Sequence, residues 1–193
     1  MPNENKSFVG KIKMVSSSPQ GTPEGVVLDN GAFIKIPPHS ILDASKIEIG
    51  ANISGNGELI ATKPNPVFHH VLAKIGSVVV SNDQGSHQDK DELKGKHKKE
   101  IDLNAKPHPE YRDVMVSGKV FSLAVKPNGE VDRMMLEDGT AVHLPKELLL
   151  DYKKVKLGDT LKIEGEGQTF KNLKFLRAKS ITLAKLETPK GAL

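Results

Sequence analysis

The sequence predicts an all-β fold of two similar small barrels in tandem, each with one short helix, joined by a charged linker. Three observations carry this. The chain is an internal duplication. Its apolar residues alternate in short runs broken by Gly, Pro, Asn-Gly and Asp-Gly. A helix-compatible segment recurs at one place in each copy.

The duplication has a register of 108 residues. It pairs Gly10 with Gly118, Pro19 with Pro127, Leu28 with Leu136, Gly31 with Gly139, Pro37 with Pro145, and Gly57-Glu58 with Gly165-Glu166. Thirteen of 49 positions are identical from residue 10 to 58, without a gap, and apolar positions agree as well: Ile12 with Val120, Ile34 with Val142, Ile53 with Leu161. After Gly57 the first copy reads as about three residues longer, so that Ala73-Lys74 meets Ala178-Lys179. A unit of about 70 residues is too long for a solenoid repeat and suits a small domain. The copies are expected at 7–80 and 114–185. Residues 81–113, poor in apolar side chains and carrying Pro107 and Pro109, read as a charged flexible linker, and 186–193 as a loose tail.

The second copy is the cleaner text. Val116–Val125 reads as a strand with Val120 on one face and Lys119, Phe121 and Leu123 on the other. Pro127-Asn128-Gly129 supplies hairpin chemistry before Val131–Leu136, and Asp138-Gly139 does so before Thr140–Leu144. Pro145 can open a helix over Lys146–Lys154, which Leu157-Gly158-Asp159 closes. Thr160–Glu164 alternates with Leu161 and Ile163 inward. Leu173–Leu183 is the last strand, with Leu176 and Ala178 inward and Arg177 and Lys179 outward. In the first copy the same order falls at Phe8–Val15, Gly25–Asp29, Ala32–Ile36, a helix over Pro38–Lys46, then Asn52–Ala61 and His70–Val80. A five-stranded Greek-key barrel with its helix between the third and fourth strands is the OB-fold. An SH3-like barrel lacks a helix there.

The run from Gly129-Glu130-Val131-Asp132 through Asp138-Gly139-Thr140-Ala141-Val142-His143-Leu144-Pro145 to Gly158-Asp159 and Gly165 resembles a small, largely uncharacterised bacterial OB-fold-like domain family with a DGT-x-VH-x-P pattern. Arg133 and Lys146 depart from that pattern, and the first copy has Lys35 where the second has His143. The resemblance covers both copies but not the linker. It implies the fold rather than an activity, since OB-folds host many unrelated roles.

Composition excludes several classes. With no Cys there is no disulfide framework, no Cys-ligated metal and no thiol nucleophile. No apolar run approaches the roughly 18–20 residues of a membrane helix, so no membrane partner is expected. No secretory signal is visible, which makes a cytoplasmic location the expectation, although a processed chain would read the same way. No nucleophile elbow, phosphate-cradling loop or HExxH helix is present, and the carboxylates sit beside turns, so neither enzyme activity nor a cofactor is expected. Adjacent His69 and His70 point to opposite faces of a strand. His87, His97 and His108 fall in the linker without ligand spacing, so no metal site is expected.

The net charge of +4 is carried by the second copy. Residues 1–80 hold 7 basic and 6 acidic residues, 81–113 hold 7 and 8, and 114–193 hold 14 and 10. An OB barrel binds single-stranded nucleic acid through a basic groove and aromatic stacking platforms. The candidates are Lys11, Lys13, Phe33 and Lys35 in the first copy, and Lys119, Phe121, Arg133, His143, Lys171, Lys174, Arg177 and Lys179 in the second. With 4% aromatic residues, such binding would rest on phosphate contacts and be weak, salt-sensitive and sequence-tolerant. Two bland readings compete: the lysines as a solubilising strand face, and Phe33 and Phe121 as core. The alternative function is a protein-interaction or scaffold module.

Overall fold

The computed structural model describes residues 4–18, 22–36, 47–81, 111–148, 150–151, 154–170 and 172–184. The first barrel is built from β1 (Glu4–Ser17), β2 (Pro23–Leu28), β3 (Phe33–Lys35), β4 (Asn52–Ala61) and β5 (Val67–Ile75), with β6 (Val78–Ser81) added at the edge of β5. The second uses β7 (Arg112–Val125), β8 (Glu130–Leu136), β9 (Thr140–His143), β11 (Thr160–Phe170) and β12 (Leu173–Leu183), with β10 (Leu150–Asp151) added to β8. Each sheet closes through a parallel pairing, β3 with β5 and β9 with β12. These are two five-stranded OB-like barrels in tandem.

The 108-residue register holds strand by strand. Ile12 pairs with Leu28 as Val120 pairs with Leu136, and Gly25 with Lys35 as Arg133 with His143. It holds at the far end too, where Ile53 pairs with Ile75 as Leu161 pairs with Leu183. The copies are therefore equal in length, and the expected three-residue excess after Gly57 does not exist. Ala73 corresponds to Ile181, not to Ala178. Both last strands carry a bulge at the same point, opposite Gly57 and Gly165, so it keeps the two copies in step, and the match of Ala73-Lys74 with Ala178-Lys179 is a coincidence of residue type.

Other expectations are adjusted. The first strand of each copy begins near Glu4 and Arg112, well before Phe8 and Val116. The expected strand His70–Val80 is a hairpin, because Gly76 at φ 57° turns the chain between β5 and β6. In place of a helix over Lys146–Lys154 there is a single 3-10 turn, Lys146–Leu148, followed by β10. Among the described residues there is no α-helix. The helix expected over Pro38–Lys46 lies outside them, as do most of the linker (82–110) and the tail. Gly129 and Gly139 do take the positive φ that their hairpin turns demand, 86° and 85°.

Val120 and Leu123 do not face opposite ways. A bulge between Val120 and Ser122 resets the alternation, and both side chains enter the core while Phe121 swings out. The first barrel has the same bulge between Ile12 and Met14, which turns Lys13 out.

The two barrels share their interior. Met14, Val27, Phe33 and Val67 of the first barrel pack into the cluster that contains Leu123, Met134, Met135 and Val142 of the second. Leu173 of the second packs on the first barrel's core. Contacts of β1 with β9 are mirrored by contacts of β3 with β7. Asn65, in the turn before β5, and Leu173, at the start of β12, are 108 apart and both reach across to the other barrel. This is an isologous interface, as in a two-fold dimer, formed within one chain. Ser122 Oγ donates to the Gly31 carbonyl at 3.0 Å to close it on one side.

Candidate nucleic-acid interface

Register places three of the cationic candidates of the second barrel in one cross-strand row. Arg133 on β8 pairs with His143 on β9, which pairs with Arg177 on β12, which pairs with Glu166 on β11. The corresponding row of the first barrel is Gly25, Lys35, His69 and Glu58. Each barrel thus presents a basic couple at one place, Lys35 with His69 and His143 with Arg177.

These couples flank a trough along the inter-barrel seam. Its deeper part, about 480 Å³, takes Glu24, Lys35 and His69 from the first barrel and Lys126, Asp132 and Arg133 from the second, with Phe33, Ile36, Ala124 and Val125 as apolar wall. A shallower part of about 300 Å³ holds His143, Glu166, Arg177, Phe175 and Tyr111 and shares Glu24 and Arg133 with the first. Glu24 and Asp132 are 108 apart, as are Ser18 and Lys126, and both pairs line the deep part. The trough therefore lies on the pseudo-two-fold axis, with Glu24 and Asp132 near its centre, Lys35 and His69 at one end, and His143 and Arg177 at the other beside Glu166.

The Arg133 guanidinium spans the seam. It forms an ion pair with Glu24 of the first barrel and donates to Ser16 Oγ at 2.8 Å. Desolvation, aided by the positive charge of Lys35, lowers the His69 pKa to about 4, so its imidazole is neutral at pH 7. Burial also holds His143 below its ordinary range, with Arg133 acting in the same direction. The permanent cations at the two ends are then Lys35 and Arg177. His143 stacks against Phe175, with ring centroids 6.5 Å apart.

The remaining candidates are placed differently. Phe33 is 3% exposed and forms trough wall, so it offers no open ring face to a stacked base. Phe121 is half-buried under Lys13, whose Nζ stands 3.7 Å from the ring centroid. Both were stacking candidates, and the packing of one barrel on the other engages both. Lys174 is ion-paired with Asp138 at 2.9 Å, and Lys179 with Asp113 and Glu166 at 2.9 Å each. Lys11 and Lys119 are exposed equivalents on the first strands of the barrels. Lys171 lies outside the described residues.

Sequence reasoning did not name Glu24, weighed His69 only as a metal ligand, and set Asp132 aside as a turn carboxylate. A signal existed: an acid recurs at the same position of both copies, between the first hairpin turn and the second strand's apolar run. No group of three or more His, Asp or Glu side chains able to hold a metal ion occurs among the described residues.

Neither a protein-family model nor a curated protein matches the chain. Among solved structures it is similar to a deletion mutant of the single-stranded DNA binding protein from Thermus aquaticus, at 13% identity over 99% of each chain, with a TM-score of 0.31.

Proposed function

We propose that this chain is a non-catalytic protein that binds single-stranded nucleic acid weakly, without strong sequence preference, along the trough between its barrels. The observation that carries the reading is the recurrence of a permanent cation beside an imidazole, Lys35 with His69 and Arg177 with His143, at equivalent positions flanking one seam. A strand laid along the seam meets a permanent cation at each end. With Phe33 and Phe121 engaged in packing, little aromatic stacking is on offer, so phosphate contacts dominate and salt weakens binding steeply. Titration of single-stranded DNA and RNA at low and high salt tests this. Binding at low salt that falls on salt addition is the expected result, and no binding at low salt overturns it.

A protein-interaction role is the second reading. It is favoured by the ion pairing of Lys174 and Lys179 and by the exposed Val9, Leu72, Met115 and Leu183 on the strands. Partners recovered from extract with equal yield before and after nuclease treatment would support it.

A further inference from the structure

Glu24 and Asp132 are related by the pseudo-two-fold axis and both line the deep part, whose wall is apolar. At about 480 Å³ that space lies within the range of small-ligand pockets and admits a single planar base. Gly25 shapes it: a Cβ there would stand 2.5 Å from Phe33 Cζ, so the missing side chain lets the ring lie against β2.

The two carboxylates differ in what they have left to offer. Glu24 is engaged by Arg133. Among the described residues no cation lies within ion-pair distance of Asp132, whose charge acts on both His69 and His143 from between the two basic couples. An ionised carboxylate only accepts hydrogen bonds. Cytosine presents an exocyclic amine, N4, where thymine and uracil present a carbonyl oxygen, O4. A carboxylate facing that edge accepts from the first and repels the second. The two pyrimidines are alike in size and stack to a similar extent, so this contact separates them.

We propose that the deep part of the trough receives one unstacked base of the bound strand and that Asp132 selects a base with an exocyclic amine over thymine or uracil. This rests on the nucleic-acid reading above. The test is direct titration of the full chain with oligo-dC and oligo-dT of equal length, at low salt and pH 7.5. Oligo-dC is expected to bind about fivefold or more tightly, and Asp132→Asn to bring the two together, chiefly by strengthening oligo-dT, since Asn can donate to O4 as well as accept from N4. An Asp132→Asn protein with an unchanged thermal transition makes the comparison one of binding. If that variant does not fold, Lys35→Gln replaces it, expected to weaken both oligomers alike and keep their ratio. Equal binding of the two oligomers by the unmodified protein overturns the selectivity and leaves the nucleic-acid reading standing. Failure of both oligomers to bind overturns both.

Discussion

Lys13 and Phe121 occupy the same position in the two barrels, 108 residues apart, and the Lys13 ammonium stands 3.7 Å from the centroid of the Phe121 ring. A bulge in the first strand of each barrel turns this residue out of its own core, and the pseudo-two-fold packing brings the two together. Duplicated positions have diverged into complementary partners. A cation–π contact of this kind contributes about 0.5–2 kcal/mol, more as it is desolvated. A double-mutant cycle of Lys13→Gln and Phe121→Leu, read by urea denaturation, is expected to show a coupling of about 0.5–1 kcal/mol. Strict additivity would mean that the contact is not made in solution.

Asn65, 3% exposed, ties the barrels more firmly. Its amide nitrogen donates to the Leu123 carbonyl at 3.1 Å, and its oxygen accepts from the Leu123 N–H at 3.0 Å. Asn65→Leu would strand both buried backbone groups, and is expected to cost about 2–4 kcal/mol of stability. Because Met14, Val27, Phe33 and Val67 pack into the second barrel's core and Leu173 against the first's, that loss should appear as one cooperative transition at a lower urea midpoint. Two separated transitions, or a loss under about 1 kcal/mol, would mean that the barrels part readily and water reaches Leu123.

The Glu24–Arg133 pair sets how much positive charge the seam presents. Glu24→Gln removes the carboxylate and frees the guanidinium, whereas Arg133→Gln leaves Glu24 to repel a phosphate. With oligo-dT, which has no exocyclic amine, the first change is expected to tighten binding and the second to weaken it, each by about 1 kcal/mol or roughly fivefold at low salt. Fluorescence anisotropy at two salt concentrations measures both. A Glu24→Gln protein with unchanged affinity would place the bound strand away from the seam.

The duplication explains why so much of the fold was legible. Gly31 and Gly139, Pro37 and Pro145, and the paired apolar positions fix strand order and register without reference to contacts. The inner face at Leu161 and Ile163 followed from alternation, and Leu176 and Ala178 are buried as expected although the alignment with Val71 and Ala73 that pointed to them is three residues out of register. Three features did not follow. Bulges at Lys13 and Phe121 break alternation through backbone geometry that side-chain pattern does not encode. The helix expected from Lys146 stops at the 3-10 turn Lys146–Leu148 because Leu150–Asp151 instead pairs with β8, a long-range contact that the local pattern does not show. The site depended on how one barrel sits on the other, and that is set by Met14, Phe33 and Asn65, which read locally as ordinary strand and turn residues. Phe33 and Phe121 drew attention as aromatic platforms, and it is that same bulk which the interface uses.

Burial makes the seam sensitive to acid. The folded-state pKa of His69 lies near 4, below the ordinary value of 6.5. The unfolded chain therefore binds this proton more readily, and stability contributed by the neutral ring is fully present above pH 6.5 and is lost as pH falls toward 4. Proton uptake on unfolding between those limits is the expected signature, visible as a falling urea midpoint. His69→Gln should flatten that part of the profile, and the His69 Hε1 resonance should titrate near pH 4. A midpoint near 6.5 would mean that the ring is solvated and the seam more open than described.

Arg177 and Lys179 are neighbours on the outward face of β12, yet they should behave differently toward nucleic acid. Lys179 bonds to Asp113 and Glu166, which hold its pKa above the usual lysine value and leave little net charge for a phosphate. Arg177 lines the shallow part of the trough beside His143. Among the described residues it has no carboxylate within ion-pair distance. A cation that neutralises one phosphate contributes about 0.7 to the slope of log affinity against log salt on a single strand. Arg177→Gln is therefore expected to lower affinity and reduce the slope by about 0.7, and Lys179→Gln to change neither by a measurable amount. Equal effects of the two substitutions would indicate a diffuse attraction to the β12 face, and a loss confined to Lys179→Gln would move the binding surface off the seam.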